Sequence, residues 1–163
     1  MGAVPVTKPG AAGTNERAPE ARATLTRRVQ FSATHRYHRP EWDDAVNNSV
    51  FGACAAPKPH GHDYSCDLTI AGTIDPHTGM VLDLGLLDRI LDEEVVRPFH
   101  NRSLNDAAEF QPGNLIPTCE ELARLIASRV GLALVRANAH GARVQRVRVA
   151  EDDTLSAEWA EPA

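Results

Sequence analysis

Two stretches of alternating apolar and polar residues, separated by a long irregular connection, constrain the fold of this chain most. The first covers residues 25–37 and places Val29, Phe31 and Ala33 on one face of an extended chain. The second covers residues 61–74, where apolar positions alternate with polar ones: Tyr64, Cys66, Leu68 and Ile70 against Ser65, Asp67 and Thr69. Because successive side chains of a strand point to opposite faces, both stretches predict half-buried β-strands.

The connection between these strands, residues 38–59, is expected to be irregular. It contains Pro40, Pro57 and Pro59 and shows no clear apolar period. Structureless connections of this length are uncommon in compact domains and tend to be functional. This one carries Cys54.

A first helix is predicted from Asp83, a favourable N-cap, to about residue 96. Its apolar positions have the i, i+3, i+4, i+8 spacing of a helix face that packs on a core: Leu87, Ile90, Leu91 and Val95. Pro98 is expected to follow the end of this helix, because proline disrupts a helix interior.

A second helix is predicted after residue 118. Thr118 and Glu121 have the spacing of a capping box, and apolar residues at helical spacing follow as far as residue 137. Gly141 is expected to end this helix, since glycine readily adopts the left-handed conformation.

Two further strands are predicted near the end of the chain, at residues 143–150 and 155–159. The resulting order, β-β-α-α-β-β, segregates strands from helices and indicates an α+β domain. Residues 1–23 contain almost no large apolar side chains, so we interpret them as a disordered tail that precedes a single domain at residues 24–163.

Bulk composition excludes several classes of protein. The chain has 163 residues, 42% of them hydrophobic, and no apolar run approaches the roughly 20 residues of a membrane span. Its three cysteines form no paired framework and no signal-peptide core is evident, which together favour a cytoplasmic location. The net charge of −5 does not indicate a nucleic-acid groove, although an anionic small substrate remains compatible with it.

A histidine pair marks the start of the second predicted strand. His60 and His62 are spaced i, i+2, so a strand would project both imidazoles from one face, and Cys54 precedes them by six positions. Neutral imidazole nitrogens suit zinc. His35 closes the first strand on the same parity as Phe31, and on its own it is as consistent with an ordinary residue at the rim of a sheet.

Several segments together resemble the 6-pyruvoyl-tetrahydropterin synthase family, which includes the 6-carboxy-tetrahydropterin synthases. The resemblance covers about residues 26–160. The matching segments, in order, are Phe31-Ser32-Ala33-Thr34-His35, Gly52-Ala53-Cys54, His60-Gly61-His62-Asp63-Tyr64, Thr78-Gly79-Met80-Val81-Leu82-Asp83, Pro117-Thr118-Cys119-Glu120 and Glu151.

The resemblance implies a tunnelling fold, in which a four-stranded antiparallel sheet carries two helices on one face. It also implies that three subunits close a barrel and that two trimers stack into a homohexamer, with active sites between subunits. A zinc ion held by His35, His60 and His62 is implied as well. Three protein ligands with one open position are typical of a catalytic zinc.

The family chemistry starts from 7,8-dihydroneopterin triphosphate and eliminates triphosphate. By resemblance, Cys54 is the base that removes a proton from the substrate side chain. The alternative is that Cys54 is a small, buried apolar residue. The spacing of Cys54 and the histidine pair is similar to that of the pyruvoyl-forming branch.

The resemblance also assigns pterin-binding residues. Glu151 is similar to the family carboxylate that accepts hydrogen bonds from the pterin amino and ring N–H groups. Thr118, Cys119 and Glu120 are similar to the helix-start segment that lines the same pocket. For Glu120, a first-turn glutamate favoured by the helix dipole is an equal alternative.

One segment departs from the family pattern. Members typically carry an Asp-His dyad after the first helix, whereas this chain has His100 and Asn101 there, following Phe99. Aligned without a gap, His100 replaces the aspartate and Asn101 the histidine. With one inserted residue, His100 is the histidine and Phe99 takes the place of the aspartate. Both alignments break the ion-paired dyad and leave His100 as a catalytic candidate without its carboxylate.

Three functions follow as hypotheses. The first is a zinc-dependent lyase that makes 6-pyruvoyl-tetrahydropterin. The second makes 6-carboxy-tetrahydropterin for deazaguanine (queuosine) synthesis and releases acetaldehyde as well as triphosphate. The third is a pterin-binding homologue whose catalysis is altered or lost because the dyad is replaced.

Overall fold

A computed structural model describes residues 21–139 and 141–162, and a long two-stranded ladder dominates it. Strand β1 (Arg22–His35) pairs antiparallel with β2 (His60–Thr73) along its whole length. Both strands lie close to the predicted stretches. Residues 22 and 23, assigned from sequence to the tail, belong to β1, whereas residues 1–20 lie outside the described residues.

Five strands form the sheet, in the order β3-β1-β2-β4-β5. Strands β4 (Arg143–Ala150) and β5 (Ser156–Ala160) extend the antiparallel pairing beyond β2. The short strand β3 (Arg102–Ser103) runs parallel to β1 at the other edge. The α+β class is therefore confirmed, but the sheet is five-stranded and mixed rather than four-stranded and antiparallel.

The imperfect alternation of β4 has a structural cause. The register between β2 and β4 shifts between Thr69 and Ile70, so that Val147 faces Leu68 while Val144 faces Ile70. Gln145 is the extra residue at this bulge. It allows Val144, at an even position, to share the buried face with valines at odd positions.

The connection predicted to be irregular contains a helix. Helix α1 (Asp44–Phe51) begins after Asp43, whose side chain accepts a hydrogen bond from the Val46 N–H. A 3₁₀ turn (Gly52–Ala55) follows and carries Cys54. The N-cap stabilises the first turn of α1 even though its sequence has little apolar periodicity.

The first predicted helix begins as expected but continues past its predicted end. Helix α2 (Leu84–Leu91), capped by Asp83, runs through a π-helical segment (Asp92–Val96) into α3 (Arg97–Phe99). Pro98 therefore lies inside the helical run. It lies shortly after the π-helical segment, which already departs from the regular i→i−4 hydrogen-bond pattern that a proline would interrupt.

Helix α4 (Cys119–Arg136) begins at the predicted cap. The Thr118 side chain accepts a hydrogen bond from the Glu121 N–H at 3.3 Å, but the Glu121 carboxylate accepts from Arg124 and does not complete a capping box. Asn138, with a φ of 51°, is the left-handed residue after this helix. The expectation that Gly141 ends the helix was wrong.

The helices pack against one face of the sheet, and the opposite face is polar. The buried cluster joins Phe31 and Leu68 of the sheet to Leu91 of α2 and Ile126 of α4. On the other face, side chains pair across the strands: Thr26 with Thr69, Arg28 with Asp67, and Ser32 with Asp63. Among the described residues, no helix has the length and apolar character needed to cross a membrane.

Candidate metal centre

Three histidines converge where the β1–β2 ladder ends. His35 lies directly opposite His60, and His62 lies opposite Ala33, so the period of the strands brings all three imidazoles to one face. Their ring centroids are 4.5 Å apart for His35 and His60, 5.1 Å for His35 and His62, and 5.0 Å for His60 and His62. The rings of the three histidines predicted as metal ligands therefore form one cluster, although their ligand atoms divide between two groups that share His35.

His35 lies at the centre of this cluster and is fully buried. Its Nδ1 is 2.7 Å from the Tyr64 hydroxyl, and its Nε2 is 3.0 Å from Nε2 of His60. Burial, together with the neighbouring charges of His60 and His62, lowers the pKa of His35 to about 4. The ring is therefore neutral at physiological pH, which is the form that ligates a metal.

His62 has an unsatisfied nitrogen beside a carboxylate. Its Nε2 is buried without a hydrogen-bond partner and lies 4.0 Å from Oε1 of Glu151. Glu151 follows the last residue of β4, is 9% exposed, and accepts a hydrogen bond from the Cys119 thiol through Oε2 at 3.6 Å. A buried nitrogen without a partner next to a buried carboxylate leaves a gap that a cation would fill.

Cys54 approaches the cluster from the 3₁₀ turn after α1. Its Sγ is 3.9 Å from Nε2 of His60. Burial and the charge of Glu151 raise the pKa of the Cys54 thiol above its ordinary value, so by itself the protein keeps this group protonated. A nearby cation would act in the opposite direction.

The donor atoms at this site fit a divalent metal such as zinc. Two overlapping groups have all their ligand atoms within 4.8 Å of one another: His35, Cys54 and His60, and His35, His62 and Glu151. Imidazole, thiolate and carboxylate are the ligand types that zinc takes in proteins. His35 belongs to both groups and would be the common ligand.

The helix-start residues predicted to line the pocket lie close to Glu151. Thr118 caps α4 and is half-buried, Cys119 is buried against Glu151, and Glu120 is exposed in the first turn. Burial and the Glu151 carboxylate raise the pKa of the Cys119 thiol to about 12, so Cys119 acts as a hydrogen-bond donor and not as a thiolate.

Two tyrosines at this site were missed from the sequence. Tyr64 holds Nδ1 of His35, and the ring of Tyr37 packs 4.6 Å from the ring of His35. Burial and the charge of Glu151 raise the pKa of both phenols, which therefore stay protonated. Tyr64 continues the same-face series of His60 and His62 at i, i+2, i+4, and that spacing was the available signal.

His100 lies apart from the metal-ligand groups. It follows α3, is exposed, and its Nδ1 accepts a hydrogen bond from the Ser32 N–H at 3.2 Å. This bond places the ring proton on Nε2, so the backbone of β1 fixes the tautomer in the absence of a carboxylate partner. Asn101, with a φ of 57°, donates its N–H to the Ser32 carbonyl at 2.7 Å.

Comparison with solved structures supports the fold. A structure of Caenorhabditis elegans 6-pyruvoyl tetrahydropterin synthase superposes with a TM-score of 0.77 at 25% identity, covering 88% of this chain and 98% of that chain. A Plasmodium vivax 6-pyruvoyl tetrahydropterin synthase superposes with a TM-score of 0.60 at 14% identity, covering 88% of this chain and 100% of that chain.

Sequence comparison identifies the family. Two relatives are 6-pyruvoyl tetrahydrobiopterin synthases. The one from Drosophila melanogaster is 38% identical over 69% of this chain and 66% of its own length. The one from Homo sapiens is 36% identical over 62% of this chain and 69% of its own length. A putative 6-carboxy-5,6,7,8-tetrahydropterin synthase from Archaeoglobus fulgidus is 34% identical over 70% of this chain and 84% of its own length. The family profile described as 6-pyruvoyl tetrahydropterin synthase matches residues 24–162, and the chain belongs to this family.

Proposed function

We propose that this protein is a zinc-dependent lyase that eliminates triphosphate from 7,8-dihydroneopterin triphosphate to give 6-pyruvoyl-tetrahydropterin. The observation that carries the proposal is the convergence of His35, His60 and His62 with the Cys54 thiol at one end of the hairpin. Membership of the family supplies the substrate class.

His35, His60 and His62 would hold the zinc. The buried, unpartnered Nε2 of His62 and the Nε2 pair of His35 and His60 present the lone pairs that such an ion needs. When bound, zinc supplies a Lewis acid that stabilises negative charge developing on the side-chain oxygens of the substrate.

Cys54 is the proposed base. Elimination of triphosphate requires a proton to leave a side-chain carbon next to a hydroxyl-bearing carbon, and a thiolate beside the histidine cluster is placed to take it. In the absence of a cation, burial and Glu151 hold the pKa of this thiol above its ordinary value. The base is therefore active only when a cation occupies the cluster.

Substrate binding is proposed for Glu151 and for the start of α4. Glu151 accepts from Cys119, which orients the carboxylate, and its other oxygen faces His62. From this position it can accept N–H donors of a pterin that enters beside Thr118 and Glu120. We call the space between Glu151 and the start of α4, where the pterin would bind, the proposed cleft; the exposed Glu120 would lie at its mouth.

The homohexamer and the active sites between subunits are also proposals. If the sheets of three subunits closed into a barrel, their polar faces, which include Arg28, Ser32 and Asp63, would line its interior. His100 is exposed at the sheet edge, outside the metal-ligand groups of its own chain, and the proposed catalytic role of His100 is therefore exerted on a neighbouring subunit.

Two alternatives each have one supporting observation. Formation of 6-carboxy-tetrahydropterin is favoured by the relative from Archaeoglobus fulgidus, whose name includes that product. A pterin-binding homologue without turnover is favoured by His100 and Asn101, which occupy the dyad position without a carboxylate.

Product analysis separates the three functions. The zinc-loaded protein is incubated with 7,8-dihydroneopterin triphosphate, and products are identified by mass, with His60→Ala plus His62→Ala as the metal-site control. The proposal expects 6-pyruvoyl-tetrahydropterin and triphosphate. Release of acetaldehyde with 6-carboxy-tetrahydropterin would establish the first alternative. Zinc and pterin binding without product would establish the second.

A further inference from the structure

We infer that Cys54 is a fourth ligand of the metal in the resting protein and that its thiolate leaves the cation when a pterin enters the cleft. The identity of the entering ligand rests on the proposed function, whereas the resting coordination does not. Cys54 would thus have two successive roles, first as a metal ligand and then as the base.

The distances around Cys54 support direct ligation. Its Sγ lies 3.9 Å from Nε2 of His60, and the ligand atoms of His35, Cys54 and His60 all lie within 4.8 Å of one another. In a tetrahedral zinc site, bonds of about 2.0–2.1 Å to nitrogen and about 2.3 Å to sulfur separate N and S by about 3.6 Å. A displacement of a few tenths of an ångström would therefore bring Sγ of Cys54 and Nε2 of His60 to the separation of two ligands of one zinc ion, and His62 would have to move toward them from the second group.

The backbone holds Cys54 at this position from both sides. The Tyr37 N–H donates to the Cys54 carbonyl at 2.8 Å, and Nε of Arg36 donates to the Ala55 carbonyl at 3.1 Å. Both donors immediately follow His35, so the turn that carries the thiol is attached to the segment that carries the central ligand. This arrangement resembles a built coordination site more than a loop that passes nearby.

Ligation by Cys54 would keep the site closed until substrate arrives. If Cys54 ligated the ion, its thiol proton would be lost to solvent on metal binding and its thiolate would be held at the metal site. If an incoming pterin took its place, the Cys54 thiolate would lie free beside the substrate and could accept the proton that the elimination removes. Departure of the thiolate would thus free a coordination position and provide the base at the same time.

Cobalt substitution tests the resting coordination. The cobalt-loaded wild-type protein should show a thiolate-to-cobalt charge-transfer band in the near ultraviolet, which should be lost in Cys54→Ser and kept in Cys119→Ser. Wild-type protein with one cobalt per chain but no such band would overturn the inference, as would a band that persists in Cys54→Ser.

Alkylation tests the same point in unmodified wild-type protein. Iodoacetamide labelling of Cys54, followed by peptide mass analysis, should be at least tenfold slower with zinc bound than after treatment with a chelator. Equal labelling rates in the two states would contradict ligation.

Displacement is tested with 7,8-dihydroneopterin, which lacks the triphosphate leaving group. Saturating ligand should abolish the charge-transfer band. An unchanged band with dihydroneopterin demonstrably bound would refute release of the thiolate. A band without turnover of the triphosphate substrate would instead contradict the lyase proposal and leave the resting coordination intact.

Discussion

Nδ1 of His35 and the hydroxyl of Tyr64 lie 2.7 Å apart, and both side chains are buried within the sheet face that packs on the helices. The bond occupies Nδ1 and directs Nε2 towards His60, 3.0 Å away. A metal ligand whose second nitrogen is engaged in this way has a fixed tautomer and a fixed ring orientation. Tyr64 therefore leaves Nε2 as the nitrogen of His35 that would meet a cation.

Tyr64→Phe should weaken zinc binding by about 10–100-fold, the usual effect of removing an outer partner of a metal-ligating histidine. The phenyl ring keeps the stacking on Phe31, whose centroid lies 5.2 Å away, but leaves Nδ1 of His35 unpaired. Competition with a chromogenic chelator measures the affinity. Tyr37→Phe is the matched control, because Tyr37 contacts His35 through its ring; equal affinities for the two variants would contradict the role of Tyr64.

His60→Ala combined with His62→Ala should reduce zinc from about one ion per chain to a trace, because His35 and Cys54 are then the only proposed ligands left and zinc sites in proteins have three or four. Metal analysis after gel filtration checks this. His77→Ala serves as a control, since His77 lies exposed in a turn away from the cluster and should keep full zinc content. Zinc retained in the double variant would place the metal elsewhere.

Cys54→Ala should lower kcat by roughly 10²–10⁴-fold, the usual contribution of a positioned base. The three histidines should still retain one zinc per chain when the metal is supplied in excess. Steady-state kinetics and metal analysis on the same preparation separate the two effects. Cys66→Ala, which alters a thiol buried in the core, should keep near-normal turnover; full activity in Cys54→Ala would reassign the base.

Restoring the dyad with His100→Asp plus Asn101→His should raise kcat/KM at least tenfold if its absence limits turnover. An aspartate at position 100 can accept the same Ser32 N–H that His100 accepts. The change should also cost up to about 1 kcal/mol of stability, since asparagine, with its short side chain that can hydrogen-bond locally, visits the left-handed conformation found at position 101 (φ of 57°) more readily than longer side chains do.

Kinetics and urea unfolding of the double variant measure these two effects. His100→Asp alone is the control, because it keeps the Ser32 contact without creating the pair. A rate no higher than that of the starting protein would show that the dyad does not limit turnover.

The metal-free protein should lose stability as the pH falls from about 6.5 to about 4. The folded pKa of His35 is about 4 and its ordinary value is 6.5, so the unfolded chain binds the proton more readily within this window. The contribution of His35 to the free energy of unfolding is fully present above pH 6.5 and declines below it. The decline reaches up to about 3 kcal/mol, since a pKa difference of one unit corresponds to about 1.36 kcal/mol.

Urea midpoints measured from pH 4 to pH 8 in the presence of a chelator test this dependence. His35→Gln should flatten the slope, because glutamine carries no proton that burial could exclude. Identical slopes for the two proteins would show that His35 is not the responsible group.

Elements with a strong local pattern could be predicted from the sequence. Strand β4 was predicted at residues 143–150 and is observed there, and Asp83 and Thr118 cap helices as expected. The alternation of apolar residues and the side-chain caps are local signals, so they survive without knowledge of the tertiary packing.

The missed elements lack the apolar periodicity that marks the predicted ones. Strand β3 has only two residues, too few for alternation, and exists because it pairs with β1. Helix α1 is anchored by Asn47, whose buried amide bonds to the backbone of Arg39, Trp42 and Asp43. Neither signal is readable before the fold is known.

The candidate site likewise has features that are readable from local sequence and features that appear only in the folded chain. The histidine spacing and the resemblance indicated the three histidines that lie together here, and their role as metal ligands stays a prediction. The contact of Glu151 with His62 and the bond of Tyr64 to His35 emerge only from the register of the sheet. The roles predicted for Cys54, His100 and Glu151 stay predictions.

His35 and His60 are the last facing pair of the β1–β2 ladder, and residues 36–59 leave the sheet between them. A metal bridging this pair would join the two ends of that excursion, much as a reversible cross-link closes a loop. Removing the ion should then speed amide exchange first in residues 36–59, while the far end of the ladder, at Arg22 and Thr73, keeps its protection. The rate of amide exchange in residues 36–59 would thus report whether the metal is bound, although none of the three histidines lies in this segment.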